Sequence, residues 1–342
     1  MASSAGALAR ATRLLAPVLV PAFAYGAYTY RMALLAALTA FFSGPGKKSR
    51  IVALVLVLIN WKSLPLAWTA RIFNGMVQHI LVKPYHTHDP SKLFDPVVTS
   101  SHVTLLEVDY NFHKSNSTYF ADLDVSRTHL VSHLFARGVS QLAANARTRL
   151  VMDPTNPSVP AKGKMNVILG GVQCSFKREI GPYGKYEMWS RVLSWDRKWM
   201  YIMTHFVEKG KGKGDKKDWQ KRIHASALSK YVFKLGRLTI HPSVVIAASG
   251  MLPERPGGWV AEENGFTVAP VANGHAPEEE EKEELANGNG NVNGHADGEP
   301  VWDWKRVEEL RLEGLEHAVH LASLDNLLSF DEKEPLARFA FG

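Results

Sequence analysis

The chain has 342 residues, a length that allows two domains or one domain with extensions. With 46% apolar and 21% charged residues, it is not a wholly disordered, collagen-like or coiled-coil protein. The formal net charge of +7 belongs to the N-terminal quarter: residues 1–88 carry nine Lys or Arg and no acid, whereas residues 89–342 carry 31 basic and 33 acidic side chains. This distribution gives no support to a basic nucleic-acid-binding domain.

Residues 1–83 are predicted to form a hydrophobic membrane anchor. Between Leu14 and Phe42 the only charged residue is Arg31. About 20 residues of apolar helix cross the core of a bilayer, so we predict a membrane-spanning helix over residues 23–42.

The basic group that follows this helix sets its predicted orientation; it consists of Lys47, Lys48 and Arg50. If this group stays cytosolic, the domain that follows faces the cytosol, on the endoplasmic reticulum or another internal membrane. A second apolar run, residues 51–82, is interrupted by Lys62. It is either a tilted helix whose lysine reaches the interface or a helix lying in the interface. For the acid-free first 30 residues a cleaved mitochondrial presequence stays open as an alternative, whereas a secretory signal would be shorter.

Residues 84–96 are predicted to be an extended connector, and residues 97–260 a folded α+β domain. The domain opens with a predicted strand at 97–111 and a helix at 126–138 that stops at Gly138. Runs rich in aromatic and β-branched residues then predict antiparallel strands, and a last apolar run can continue the sheet: 164–169, 172–180, 186–193, 199–208, 224–235 and 238–246. In such a layout the helix must bury its apolar face on the sheet.

The C-terminal part divides into two segments. Residues 261–300 are acidic, rich in Asn-Gly pairs and poor in apolar side chains, so we predict a disordered insert. Residues 301–342 are predicted to be an amphipathic helix and a tail, because apolar side chains recur at helical spacing over residues 303–326. This helix would dock on the domain or on a partner.

A motif between the first predicted strand and the helix carries the main functional signal. It has an Asp, then a His at +4, an Asn at +7 and a Tyr at +10; these are Asp109, His113, Asn116 and Tyr119. This stretch resembles the first motif of hotdog-fold thioesterases of the hydroxybenzoyl-CoA type.

Two further features are similar to one subgroup of these enzymes. Asp124 and Arg127 at the start of the helix, and the turn at residues 194–199, resemble the membrane-associated thioesterase-superfamily-member-6 proteins. The whole layout is most similar to fungal thioesterase-like proteins with an N-terminal hydrophobic segment. The resemblance covers about residues 97–250.

The resemblance implies a fold and a set of roles. The fold would be a hotdog, an antiparallel sheet wrapped on a central helix, with N-terminal membrane-associated helices and a C-terminal amphipathic helix. Asp109 would be the catalytic nucleophile or general base, and the substrate-binding residues would be His113, Asn116, Tyr119 and Asp124. His113 and Asn116 would shape the loop or bind the thioester carbonyl, and Tyr119 is more often a packing residue. Phe112 stands where the family has a Gly that lets substrate approach the backbone.

These observations predict a membrane-anchored thioester hydrolase that acts on acyl-CoA or carrier-bound acyl chains. The resemblance implies a homodimer or larger assembly, since hotdog sites are built between two subunits. One alternative is a non-catalytic acyl- or lipid-binding membrane protein on a hotdog scaffold. Another differs only in substrate, a polyketide-pathway enzyme that releases a product from a carrier protein.

No cofactor and no metal are expected. His86 and His88 lack further ligands at a helical or turn spacing, and the pair His129 and His133 shares a helix face without a third ligand. We expect that pair to lie on a solvated or packed face. Cys174 is the only cysteine, so no intramolecular disulfide can form.

Overall fold

The computed structural model describes residues 21, 24–26, 30–82, 89–210, 219–256, 258–259 and 302–322. The predicted insert at 261–300 lies outside these residues. So do His86 and His88 and the tail after residue 322.

Seven α-helices occur in the described part of the chain: α1 Arg31–Phe42, α2 Lys47–Ile59, α3 Ala67–Val77, α4 Thr118–Ala143, α5 Asn145–Thr148, α6 Pro242–Ala248 and α7 Trp304–Ala322. Short 3-10 turns occur at Trp61–Ser63, Pro90–Lys92, Leu105–Glu107 and Trp219–Arg222. A π-helical turn, Gln78–Val82, follows α3.

Eight strands accompany them: β1 Val97–His102, β2 Met152–Asp153, β3 Asn156–Pro160, β4 Met165–Phe176, β5 Lys185–Trp195, β6 Trp199–Glu208, β7 Ile223–Leu235 and β8 Leu238–Ile240. Five of them form an antiparallel sheet in the order β1-β5-β6-β7-β4, and β8 pairs with the end of β7. β2 and β3 form a separate hairpin.

The long helix α4 supplies the centre of the core. Its side chains Leu130, Leu134 and Phe135 are buried in one cluster with residues of the sheet, including Ile202 and Phe233. This arrangement confirms the predicted antiparallel sheet wrapped on a central helix. The helix must be buried because its apolar face has no other cover.

The observed helix is longer than the predicted one at both ends. It begins at Thr118, because Tyr119 and Leu123 add a buried turn that the polar residues around them conceal in the sequence. It also passes through Gly138, which we expected to end it. A Cβ at Gly138 would collide with the Val245 carbonyl, so this glycine permits the close approach of α6.

Three other predicted boundaries change. The first strand ends at His102 and not at residue 111, because a 3-10 turn at Leu105–Glu107 follows it. The segments 164–169 and 172–180 form the single strand β4, with a register irregularity between Leu169 and Gly171. Only the first residues of 238–246 pair in the sheet, because Pro242 begins α6.

The helix predicted over residues 303–326 is observed as α7, and it docks on β5. Its Arg311 carbonyl accepts a hydrogen bond from Ser194 Oγ at 2.5 Å, in the stretch where a bulge shifts the register of β5. Gly314 lies so close to the Leu193 carbonyl that a side chain there would collide with it. α7 therefore covers the end of β5.

The predicted spanning helix over residues 23–42 is not supported. Among the described residues, no helix combines the length and the apolar character that crossing a membrane requires.

Candidate active site

The loop that enters α4 holds Asp109 in a tight turn. Val108 and Lys114 form a β-bridge at the base of this turn. Asp109 N–H donates to the His113 carbonyl at 3.0 Å, and the Asp109 Oδ1 accepts from Asn111 N–H at 2.9 Å. Residues 109–113, hereafter the Asp109 turn, are thus fixed by their own backbone and by an Asx bond.

His113 lies beside Asp109, as the motif predicts. Its Nδ1 is 3.7 Å from Asp109 Oδ1, and its Nε2 is 3.6 Å from Glu179 Oε1. The Asp109 side chain is 24% exposed. Both of its recorded side-chain contacts fall on Oδ1, and no described residue donates a hydrogen bond to Oδ2. Asp109 therefore combines partial burial with one accessible oxygen.

The other residues of the motif have different surroundings. Asn116 is exposed and lies in the last turn before α4, where its carbonyl accepts from Tyr119 N–H at 3.4 Å. Tyr119 is buried edge-to-face against two phenylalanines: its ring centroid lies 5.0 Å from that of Phe176 and 4.8 Å from that of Phe206. Burial raises the pKa of the Tyr119 phenol. These contacts give Tyr119 a packing role.

Asp124 lies one turn further along α4, and its carboxylate pairs with Arg127. Arg127 is buried and also donates to Ser229 Oγ at 2.6 Å, while its guanidinium lies 5.7 Å from the centroid of the Tyr231 ring. Asp124 is therefore held toward β7. The structure brings Asp109 and His113 together but does not bring Asp124 to them.

Exposed apolar side chains surround the Asp109 turn. Tyr110 is 89% exposed and Phe112 is 79% exposed. Phe112 also has a φ of +62°, a left-handed conformation that suits glycine far better than a bulky residue. Further large apolar side chains are exposed nearby in sequence: Leu105, Leu106 and Phe120.

A buried ionic cluster lies beneath the Asp109 turn, and sequence reasoning missed it. At its centre Asp122, with no exposed side-chain surface, accepts from Lys114 Nζ at 2.9 Å, Lys62 Nζ at 3.0 Å and Arg71 Nη2 at 2.9 Å. Tyr186 OH also donates to Asp122. We call this set, together with Glu107, the Asp122 cluster.

Glu107 is the second carboxylate of the cluster. It lies 2.9 Å from Lys62 Nζ and 3.2 Å from Lys114 Nζ. The cluster therefore holds three cations and two carboxylates in a buried space. Lys62 is only 5% exposed, so the first of the two alternatives for residues 51–82, a tilted helix whose lysine reaches the membrane interface, is wrong.

The charges of the cluster shift one another's proton affinities. Burial acts to raise the pKa of Asp122, but the three cations outweigh it and hold the pKa of that carboxyl well below its usual range. Burial lowers the pKa of Lys62, and burial together with the Asp122 charge raises the pKa of Tyr186. Lys62, a single lysine in an apolar run, was the one feature of the sequence that could have indicated a buried ion pair.

His129 and His133 lie on a packed face, where His79 joins them from the π-helical turn. His79 Nε2 is 3.0 Å from His129 Nδ1, and the His79 and His133 ring centroids are 5.1 Å apart. Within the described ranges, no group of three His, Cys, Asp or Glu side chains is placed to hold a metal ion.

The fold and the loop define a class of protein. A single antiparallel sheet in the order β1-β5-β6-β7-β4, wrapped on one long helix that starts just after a carboxylate-bearing loop, is a hotdog domain of the thioesterase type. Residues 103–234 match the family model of the Thioesterase-like superfamily.

Two fungal relatives extend the match beyond this domain. The thioesterase lcsJ of Purpureocillium lilacinum is 34% identical over 290 residues, which cover 77% of this chain and 86% of that one. The thioesterase poxG of Penicillium oxalicum is 33% identical over 297 residues, with 81% and 84% covered. The chain belongs to the Thioesterase-like superfamily, and its thioesterase relatives support a thioester hydrolase function.

The probable thioesterase YbaW of Escherichia coli aligns with a TM-score of 0.32 at 12% identity, and the alignment covers 45% of this chain and 96% of that one.

Proposed function

We propose that the protein is an acyl-thioesterase in which Asp109 acts as nucleophile or as general base. The observation that carries this proposal is the contrast among three carboxylates, those of Asp109, Glu107 and Asp122. Asp109 keeps an accessible oxygen, whereas Glu107 and Asp122 are buried and paired with lysines. A carboxylate can serve as nucleophile or base only where substrate or water can reach it.

Either role completes the hydrolysis. As a nucleophile, the Asp109 carboxylate attacks the thioester carbon, expels the thiolate and forms an acyl anhydride, which water then cleaves. As a base, Asp109 takes a proton from a water molecule as that water attacks the same carbon. In both routes the leaving thiolate takes up a proton, and the products are a carboxylic acid and a thiol. In this proposal His113, whose Nδ1 lies 3.7 Å from Asp109 Oδ1, orients the Asp109 carboxylate.

The substrate class follows from the family and from the surroundings of the turn. The superfamily favours acyl-CoA-type thioesters, and a carrier-bound acyl chain presents the same thioester on the same pantetheine arm. The exposed side chains of Tyr110 and Phe112 offer apolar surface beside Asp109. His113, Asn116, Tyr119 and Asp124 stay proposed substrate-side residues, with Tyr119 acting through packing and Asp124 through Arg127.

A homodimer is part of the proposal. β4 lies at one edge of the sheet, so one side of its backbone has no strand partner among the described residues. Its exposed side chains Ile168 and Leu169 give that edge an apolar character. Pairing of two β4 strands would extend the sheet through both subunits. The mass of the full chain in solution, measured by light scattering, tests this.

Membrane association is proposed for the N-terminal helices, with the domain facing the cytosol. α1 and α2 have no buried residue, and their exposed side chains include Leu34, Leu35, Val52 and Val55. Large exposed apolar surfaces indicate a membrane or a partner. Every charged residue from 30 to 59 is basic, which favours an anionic lipid surface. Co-sedimentation of the full chain with neutral and anionic vesicles tests this, and absence of binding to both would refute it.

The central experiment is hydrolysis of a panel of acyl-CoAs by the full chain and by its Asp109→Asn variant. The amide keeps the oxygen that accepts from Asn111 N–H, so the turn should survive. We expect a rate loss of about 100-fold or more, the usual range for a general base or nucleophile. The matched control is Asp95→Asn, which removes an exposed carboxylate paired with Lys92 and should leave the rate unchanged.

The same panel separates the alternative function. Phe112, in a left-handed conformation where the family has Gly, motivates a non-catalytic acyl- or lipid-binding protein. That protein would retain acyl ligands without turnover. Cleavage well above background by the wild type would reject this alternative, and equal rates for wild type and Asp109→Asn would remove Asp109 from the mechanism.

A further inference from the structure

Residues 60–63 form hydrogen bonds with the segment that leads into the Asp109 turn. Asn60 Oδ1 accepts from Leu106 N–H at 3.0 Å. Ser63 Oγ and Thr104 Oγ1 are 2.6 Å apart, and Lys62 Nζ donates to the His102 carbonyl at 2.8 Å. We call residues 60–63 the N-terminal clamp. Its three polar side chains bind residues 102, 104 and 106 of the same segment, so the clamp contacts this segment along its length.

The clamp also reaches the base of the turn through the Asp122 cluster. Lys62 binds Glu107 and Asp122, and Glu107 and Lys114 flank the two sides of the turn in the sequence. The Glu107 carbonyl accepts from Ser115 N–H at 2.8 Å. We call residues 107–108 and 114–115 the stem of the turn. On one side of the stem Glu107 pairs with Lys62, and on the other side Lys114 pairs with the same two carboxylates as Lys62, those of Glu107 and Asp122.

A second cation from the same part of the chain also binds Asp122. Arg71, on α3, donates to Asp122 Oδ1, the oxygen that the two lysines leave free. Thus Lys62 and Arg71 supply two of the three cations of the cluster, and both belong to the N-terminal quarter. The remaining cation, Lys114, belongs to the domain itself.

We propose that the N-terminal clamp is a positioning element for the Asp109 turn, which makes the end of the N-terminal quarter part of the catalytic unit. The proposal rests on the function assigned above to Asp109. The turn itself is poorly packed, because Tyr110 and Phe112 point away from the core and are mostly exposed. Hydrogen bonds within the turn set its internal geometry, but its position relative to the domain depends on the stem, which the clamp contacts through the ion pair of Lys62 with Glu107. Displacement of a reacting group by about 1 Å can cost about 100-fold in rate.

The test uses the full chain and three substitutions. Lys62→Met removes the shared charge, Ser63→Ala removes only the hydroxyl bond to Thr104, and Lys62→Arg restores a cation. The control, Lys92→Met, removes a lysine from an exposed ion pair with Asp95. Two experiments are made on each variant. Steady-state kinetics give kcat and KM with the best acyl-CoA of the panel, and amide hydrogen exchange is followed over residues 105–117, with residues 223–235 of β7 as the internal reference.

We expect Lys62→Met to lower kcat by about tenfold with KM within about twofold, because positioning acts on the reacting group and not on substrate binding. Exchange over 105–117 should rise by about tenfold while β7 stays unchanged. Ser63→Ala should show the same pattern at about threefold, and Lys62→Arg should recover part of the loss. Lys92→Met should match the wild type in both measurements.

Two results would overturn the proposal. One is exchange over 105–117 that stays at the wild-type rate in Lys62→Met and Ser63→Ala. The other is faster exchange with an unchanged kcat, since the clamp would then order the turn without positioning Asp109. If Lys62→Met does not fold, Ser63→Ala decides, because it leaves every buried charge in place. Failure of the Asp109 assignment shows separately, as full activity of Asp109→Asn, because amide exchange does not depend on turnover.

Discussion

Two aspartates on either side of the start of α4 have opposite environments. Asp122 is completely buried and accepts from Lys62, Arg71 and Lys114. Asp109 is partly exposed and has one histidine at 3.7 Å. A carboxylate surrounded by cations is committed to structure, since both of its oxygens are occupied. A carboxylate with a free oxygen on a stiff turn is available for chemistry.

The Asp109 turn depends on the Asp122 cluster more than the cluster depends on the turn. Lys114 follows the Asp109 turn directly and buries its ammonium in the Asp122 cluster, and Glu107 does the same on the other side. The Asp122 cluster also has contacts from Lys62, Arg71 and Tyr186, which lie outside the turn, whereas the side chains of Tyr110 and Phe112 in the turn are mostly exposed. Substitutions at Asp122 should therefore affect both sites, whereas those at Asp109 should affect only one.

The largest effect is expected from Asp122→Asn. It leaves the buried Lys62 and Lys114 and the partly buried Arg71 with one carboxylate, and breaking a buried ion pair on one side costs about 3–5 kcal/mol. We expect a loss of that size in the free energy of unfolding of the full chain, measured with urea. Asp109→Asn should lose less than about 1 kcal/mol, because its site is partly exposed and the Asx bond survives. Equal losses for the two variants would contradict the contrast between the sites.

The pH dependence of stability gives a second, smaller test. The folded-state pKa of Asp122 lies below its unfolded value of about 3.9, so its stabilisation is present above that pH and is lost as the pH falls toward the folded pKa. The gap in unfolding free energy between wild type and Asp122→Asn should stay constant from about pH 7 to 5 and should narrow below about pH 4. A gap that narrows already near pH 6 would show that a different group controls it.

The sequence revealed the sheet well and the cluster not at all. The predicted bounds of the strand at 199–208 are those of β6, because this run is rich in the aromatic and β-branched residues that favour strands. The motif likewise placed Asp109 and His113 side by side, since they share one short turn. Both features are local, so their residues determine them without reference to distant parts of the chain.

The cluster is not local. Lys62 and Asp122 meet only because the N-terminal quarter folds against α4, and neither residue has its partner within one helical turn. Lys62 therefore looked like a lysine at a membrane interface. The early start of α4 was hidden for the same reason, since Asp122 and Arg127 occupy buried positions that an apolar pattern does not count. Buried charges are satisfied by tertiary contacts, which periodicity cannot show.

The smallest effect is expected at Phe112, and it tests how little the turn contributes to packing. A non-glycine residue in the left-handed region costs about 1–2 kcal/mol, and Phe112 has a φ of +62° with little buried area to offset that cost. Glycine removes the strain but also loses about 0.5–1 kcal/mol through the greater freedom of the unfolded chain. We therefore expect Phe112→Gly to change the free energy of unfolding by no more than about 1 kcal/mol, in the stabilising direction.

Phe112→Ala is the matched control, because it removes the same aromatic ring but retains a Cβ at positive φ. The glycine variant should be the more stable of the two in urea unfolding, since only it relieves the backbone. Its kcat for acyl-CoA should be at least that of the wild type, because the stem is untouched. Its KM should rise, because the Phe112 ring offers apolar surface to the acyl chain. If the free energy of unfolding fell by several kcal/mol in both variants, the Phe112 ring would contribute to packing. The Asp109 turn would then be a structural element, and it would no longer contrast with the Asp122 cluster.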